Sequence, residues 1–242
     1  MSTWATLKDE LTVWADEGRT APFWLRDDDA VEPTPVLERL ISLTADQAIP
    51  ATLAVIPEHT GEALAQRLSS APGLSVAVHG WSHRSYSGPG EKKQELGLHR
   101  PIRDVLDELS AGLDKLRSLY PDRRVSMLVP PWNRIAPEIA AELPRLGYAS
   151  LSTFGSEKAG PIRMFNTHVD LMDWHGTRGG RDDEPLLTEI TARLRALREG
   201  NGVMGFLTHH LVHDEKAWTF LARLIDTVEN HAGAAWVDPP VS

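Results

Sequence analysis

Cysteine is absent from all 242 residues. That absence removes disulfide frameworks, thiolate nucleophiles and cysteine-rich zinc sites, so any metal must be held by His, Asp or Glu. Long apolar runs are missing too. No segment approaches the roughly 20 residues needed to cross a bilayer, and no membrane partner is expected. Residues 1–19 have no basic stretch followed by an apolar one, which argues against a secretory signal there and makes the cytoplasm the expected location. No Gly/Ser linker, low-complexity tract or internal repeat divides the chain, so a single domain is expected over residues 1–242. A cationic surplus is also lacking. Lys and Arg number 25 against 34 Asp and Glu, a net charge of -9, and the arginines are scattered among acids. Phosphate binding needs clustered positive charge, so a nucleic-acid partner is not expected.

What is present is an alternation of apolar runs and amphipathic stretches. Trp4, Leu7, Leu11 and Trp14 recur at helical spacing. Phe23–Arg26 reads as a short strand, 35–46 as a helix capped near Thr34, and 51–56 as a buried strand. The pattern continues with a helix at 62–69, a strand at 74–78, a polar loop at 80–99 and a helix at 102–120. Beyond these lie strands at 125–129, 148–152, 162–169, 203–208 and 234–237, with helices at 137–146, 185–198 and 215–229. Strands alternating with helices and few hairpin signals predict a mostly parallel sheet covered by helices. In such folds ligands bind beyond the carboxyl ends of the strands. The unusual polar residues stand there: Asp27-Asp28-Asp29, His79, Pro130-Pro131-Trp132 and His209 each follow a different apolar run.

Three of these groups carry candidate chemistry. His79 and His83 are two imidazoles four residues apart, which converge on one ion if the chain turns between them. Position 80 is Gly, so the pair lacks the glutamate of the metalloprotease helix. Three consecutive carboxylates at Asp27–Asp29 repel one another, and a bound cation offsets that cost. Neighbouring side chains on an extended segment point to opposite sides, so Asp27 and Asp28 need not share one job. A histidine after the apolar run at 203–208 suits a general acid, with His209, His210 and His213 all in reach of the role.

The order Asp-Asp, His-x-x-x-His, Pro-Pro-aromatic, Asp-Trp and Leu-x-His resembles the polysaccharide deacetylase family, also called the NodB-homology or carbohydrate esterase 4 group. Leu25-Arg26-Asp27-Asp28-Asp29 stands where that family has Thr-Phe-Asp-Asp-Gly. His79-Gly80-Trp81-Ser82-His83 fits its second motif, Val129-Pro130-Pro131-Trp132 its third, Asp173-Trp174 its fourth and Leu207-Thr208-His209 its fifth. The resemblance implies an irregular (β/α)7 barrel and a metal-dependent hydrolase of an amide C–N bond, acting on an N-acetylated sugar or sugar-like substrate. By position it implies Asp28, His79 and His83 as ligands of one divalent metal, Zn first with Co, Ni or Mn as alternatives. It also implies Asp27 as base, His209 as acid, the Trp132 backbone N–H on the oxyanion and Asp173 tuning the acid. Trp174 and Leu207 would wall the acetyl pocket, and Trp81 adds an apolar face for a sugar ring.

Three departures bear on these roles. Val129 replaces the family's Arg, with Arg134 close enough in sequence to reach the same carboxylate. Asp29 replaces a Gly, which allows the alignment of carboxylates to shift by one residue, and Arg26 replaces an aromatic. The partner expected is a small molecule or glycan, and oligomeric state is left open. Two other readings fit the same motifs: an amidase of this fold acting on a linear or cyclic non-sugar amide, and a binding protein that has lost catalysis.

Overall fold

A computed structural model describes residues 2–123 and 125–239. Helices and strands alternate through the first half of the chain as α1 (Trp4–Asp16), β1 (Ala21–Ala30), α2 (Pro35–Asp46), β2 (Ala51–Val55), α3 (Glu62–Ser69), β3 (Leu74–His79) and α4 (Ile102–Leu119). The second half continues with β4 (Met127–Val129), α5 (Pro137–Glu142), β5 (Ser150–Leu151), β6 (Arg163–Met164), β7 (Val169–Asp170), α6 (Asp183–Arg198), β8 (Met204–Thr208), α7 (Glu215–Glu229) and β9 (Ala234–Trp236). This is an α/β fold with parallel strands and helical connections, consistent with an irregular (β/α)7 barrel. No helix among the described residues is long and apolar enough to cross a membrane.

The chain packs as two units, and β1 runs from one into the other. The first holds residues up to Asp27, Thr34–Ala51 and Thr167–Pro239. Here β1 pairs in parallel with β8 and β9, and β7 with β8. Phe23, Trp24 and Leu25 are fully buried, and Phe206 stacks on Phe220 with ring centroids 6.0 Å apart. α1 buries the expected stripe of Trp4, Leu7, Leu11 and Trp14. Glu10 is buried with them, its carboxylate paired to Arg195 and Arg198 of α6.

The second unit holds Asp28–Pro33 and Thr52–Asn166. Its strands follow the order β6-β5-β4-β3-β2. The β3–β4, β4–β5 and β5–β6 pairs are parallel. α4 turns Val105, Leu109, Leu113 and Leu116 inward, one continuous stripe. Each such buried leucine contributes about 1.5–3 kcal/mol relative to its exposed state.

Among the boundaries that differ from the sequence reading, three differ for a plain physical reason. β1 extends to Ala30, so the aspartates lie in the strand and not after it, and Asp27 is register partner to Thr208. The run at 162–169 is divided, because β6 pairs with β5 whereas β7 pairs with β8. α5 stops at Glu142, two residues before Pro144, which has no N–H to continue the helix.

Candidate metal centre

β3 delivers His79 to the end of a parallel pair whose register sets it opposite Val129. Its Nδ1 lies 2.9 Å from the Val129 carbonyl oxygen. A carbonyl only accepts, so Nδ1 carries the proton and donates, and Nε2 of the neutral ring presents a lone pair. That Nε2 lies 3.1 Å from Asp29 Oδ1, and His83 Nε2 lies 3.3 Å from the same oxygen. Asp29, His79 and His83 each offer one ligand atom, all within 4.8 Å of one another. Two neutral imidazole Nε2 lone pairs and a carboxylate oxygen this close together repel, and a proton on one ring or a cation among them relieves the repulsion. Donors about 2.1 Å from one tetrahedral metal are separated by about 3.4 Å, so the spacing suits a divalent ion. Burial, followed by the neighbouring His79 charge, pushes the His83 pKa down. Its ring therefore favours the neutral form that a metal requires.

The backbone bends to assemble this set. Asp29, Gly80 and His83 take left-handed conformations, with φ of 74°, 58° and 57°. Asp tolerates that region better than most residues, and Gly80 has no alternative: a Cβ there would stand 2.3 Å from Glu95 Oε2 and 2.7 Å from Pro131. Trp132 and Asn133 are left-handed too, at φ 55° and 56°, and the Trp132 ring packs 4.4 Å from that of His83. Strain of this kind clusters at sites where the surrounding structure over-determines the backbone.

Asp28, the ligand implied by position, is not in the cluster; Asp29 takes that place, which is the one-residue shift the sequence left open. Asp28 is buried, and its negative charge acts on His83. Arg134 donates to the Lys93 carbonyl at 2.8 Å and so ties down the 80–99 loop; among the described residues it meets no carboxylate. The Trp81 ring lies over Gly112 of α4, where an added Cβ would come 3.5 Å from its edge.

In the first unit Asp27 is fully buried. Its carboxylate accepts from Thr208 Oγ1 at 2.7 Å, from the His210 N–H at 2.9 Å, and pairs with His210 Nδ1. Burial alone would raise its pKa, but His210 and these hydrogen bonds hold it below the usual carboxylate range. A carboxylate so fully engaged has little capacity left to accept a proton from water. His209 is partly exposed, with the Trp174 ring edge-on at 4.7 Å. The Trp174 indole donates to Asp170 at 2.8 Å, and Leu207 is fully buried. Asp173 accepts from the N–H groups of Gly176 and Thr177 at 3.0 and 2.9 Å, so its two oxygens serve its own turn. His213 Nε2 accepts the His209 N–H at 3.3 Å, and burial brings its pKa down to about 4.

Sequence reasoning missed Glu95, and it named His210 only as a candidate acid, not as the partner of Asp27. Glu95 is one acid in a polar loop with no periodicity to mark it, and His210 competed with two neighbours that the sequence could not rank.

No family model matches the chain, and no curated protein does. Solved structures do. A protein from Mycobacterium smegmatis described as a polysaccharide deacetylase aligns over 91% of this chain and 87% of its own, with a TM-score of 0.68 and 16% identity. A family 4 carbohydrate esterase from Streptomyces lividans, solved in complex with acetate, covers 90% and 91%, with a TM-score of 0.58 and 13% identity. A family 4 acetyl xylan esterase from Clostridium thermocellum, solved with a cobalt ion, covers 89% and 87%, with a TM-score of 0.54 and 16% identity. This chain therefore has the fold of the polysaccharide deacetylases and family 4 carbohydrate esterases, the group its sequence motifs resemble.

Proposed function

We propose that this protein is a metal-dependent hydrolase that removes an acetyl group from the nitrogen of a sugar or sugar-like substrate. The observation that carries the reading is the convergence of Asp29 Oδ1 with the Nε2 atoms of His79 and His83. Acetate in one structural neighbour and cobalt in another support the same reading. A divalent ion in such a site supplies Lewis acidity to a carbonyl and acidity to bound water.

The chain's own residues divide the remaining work. His79, His83 and Asp29 hold the ion, and the Val129 carbonyl fixes the His79 tautomer. Asp28 is the proton acceptor in this proposal, because Asp27 is committed to His210 and Thr208. The Trp132 backbone N–H is proposed to donate to the developing oxyanion; losing one such donor costs about 2.7–4 kcal/mol. His209 keeps the role of acid for the departing amine, with Trp174 against its ring. Trp174, Leu207 and Trp81 are retained as substrate-facing candidates, and Zn as the first metal to try.

The test is an amide panel on protein loaded separately with Zn, Co, Ni and Mn. Acetate released from N-acetylated sugars, abolished by chelation and restored by metal, is the expected result. Ring opening of a ureide or imide without acetate release would assign the same centre to a non-sugar amide. Metal binding with no turnover across the panel would favour a binding protein.

A further inference from the structure

Glu95 is a buried carboxylate, 1% exposed, in a loop of otherwise exposed charge. Its Oε1 accepts the Trp81 N–H at 3.1 Å, the Ser82 N–H at 2.8 Å and the Ser82 hydroxyl at 3.2 Å. Its Oε2 accepts the His83 N–H at 3.2 Å. Three consecutive backbone donors thus converge on one side chain, in the stretch that carries His83 away from the end of β3. That stretch bends through two left-handed residues, Gly80 and His83, which an untethered loop would leave. The anchor is itself fixed. The Leu96 carbonyl accepts the Ala136 N–H at 2.8 Å, and Leu96 bridges Ile135.

We infer that Glu95 is the positioning residue of the centre, holding the backbone of 81–83 so that His83 Nε2 faces Asp29. This rests on the metal-site reading above, though the tether itself does not. Burying a carboxylate is costly unless donors surround it: burial pushes the Glu95 pKa up, and the hydrogen bonds from Ser82 and Trp81 offset part of that cost. A glutamine in its place keeps the shape and one carbonyl acceptor, but presents an amide to at least one N–H donor.

Two measurements test the inference. Zinc affinity is measured by chelator competition on wild type, Glu95→Gln, Glu95→Ala and the double variant His79→Ala, His83→Ala. Outer-shell changes typically lower metal affinity by about 10–100-fold, and that loss is expected for Glu95→Ala, with Glu95→Gln between it and wild type. Amide hydrogen exchange on the metal-free proteins gives the second readout. Protection at Trp81, Ser82 and His83 should fall in both Glu95 variants while that of β3 and α4 persists. Should Glu95→Ala fail to fold, Glu95→Gln carries both measurements. Zinc affinity within about twofold of wild type in the folded variants would overturn the inference, as would unchanged protection at 81–83. Wild type that binds no zinc, cobalt, nickel or manganese would defeat the hydrolase reading, and the exchange data alone would then decide the tether.

Discussion

Asp27, Asp28 and Asp29 are chemically identical, yet their surroundings separate them. Asp27 is enclosed by Thr208 and His210, Asp28 is buried with its charge acting on His83, and Asp29 takes a left-handed turn towards two imidazoles. The division predicts different failures. Asp29→Asn should lower metal affinity along with activity. Asp28→Asn should keep the metal and lose turnover by about 10²–10⁴-fold, the usual worth of a general base. Metal titration beside kcat separates the two, and loss of metal from Asp28→Asn with retention by Asp29→Asn would reverse the assignment. The sequence placed three carboxylates together but could not rank them, because the ranking depends on a backbone φ and on a histidine 183 residues away.

His213 makes a prediction about pH. Its native pKa lies near 4, whereas an unfolded histidine titrates near pH 6.5. Between these values the unfolded chain binds a proton that the folded ring refuses. Its contribution to stability is therefore complete above about pH 6.5 and declines as the pH falls towards 4. Asp27 acts lower down: its depressed pKa adds stability above the unfolded carboxylate value that is lost only as pH falls through the folded one. Urea unfolding of His213→Gln between pH 7.5 and 4.5 should show a shallower decline than wild type, whereas an equal slope would place the titration elsewhere.

At the scale of elements, most boundaries follow from simple chemistry and were legible. Thr34 accepts the Leu37 N–H at 3.1 Å and Pro35 opens α2, the expected start. α4 was legible from its apolar stripe alone. The cap of α7 was not anticipated: Asp214 accepts the Ala217 N–H at 2.8 Å and the Gly180 N–H at 3.1 Å. It thereby ties α7 to a turn distant in sequence. Asp214→Ala should cost about 0.5–2 kcal/mol in chemical denaturation, the usual range for an N-cap. Gly80→Ala should be worse for function than for folding. The added methyl meets Glu95 and Pro131 and opposes a positive φ, so metal affinity should fall more steeply than the unfolding midpoint. A variant with full metal binding would show that the turn tolerates a side chain.

At the scale of the whole molecule, the alternation of strand and helix announced the α/β architecture, and five short motifs in order resemble those of one group with that architecture. The solved structures it matches share that fold. What the sequence left obscure is three-dimensional: the Glu95 hydrogen bonds to residues 81–83, the left-handed turns and the commitment of Asp27 to His210. Such features arise from contacts between segments with no common periodicity, so no local pattern encodes them. The same limit applies to Arg134, which neighbours the third motif in sequence but spends its guanidinium on the Lys93 carbonyl.

Elemental analysis of the purified protein, set beside the His79→Ala, His83→Ala double variant, tests the central claim most directly. The expected result is close to one divalent ion per wild-type chain and essentially none in a folded variant. A variant that retained its metal in full would contradict the assignment of Asp29, His79 and His83 as the ligands.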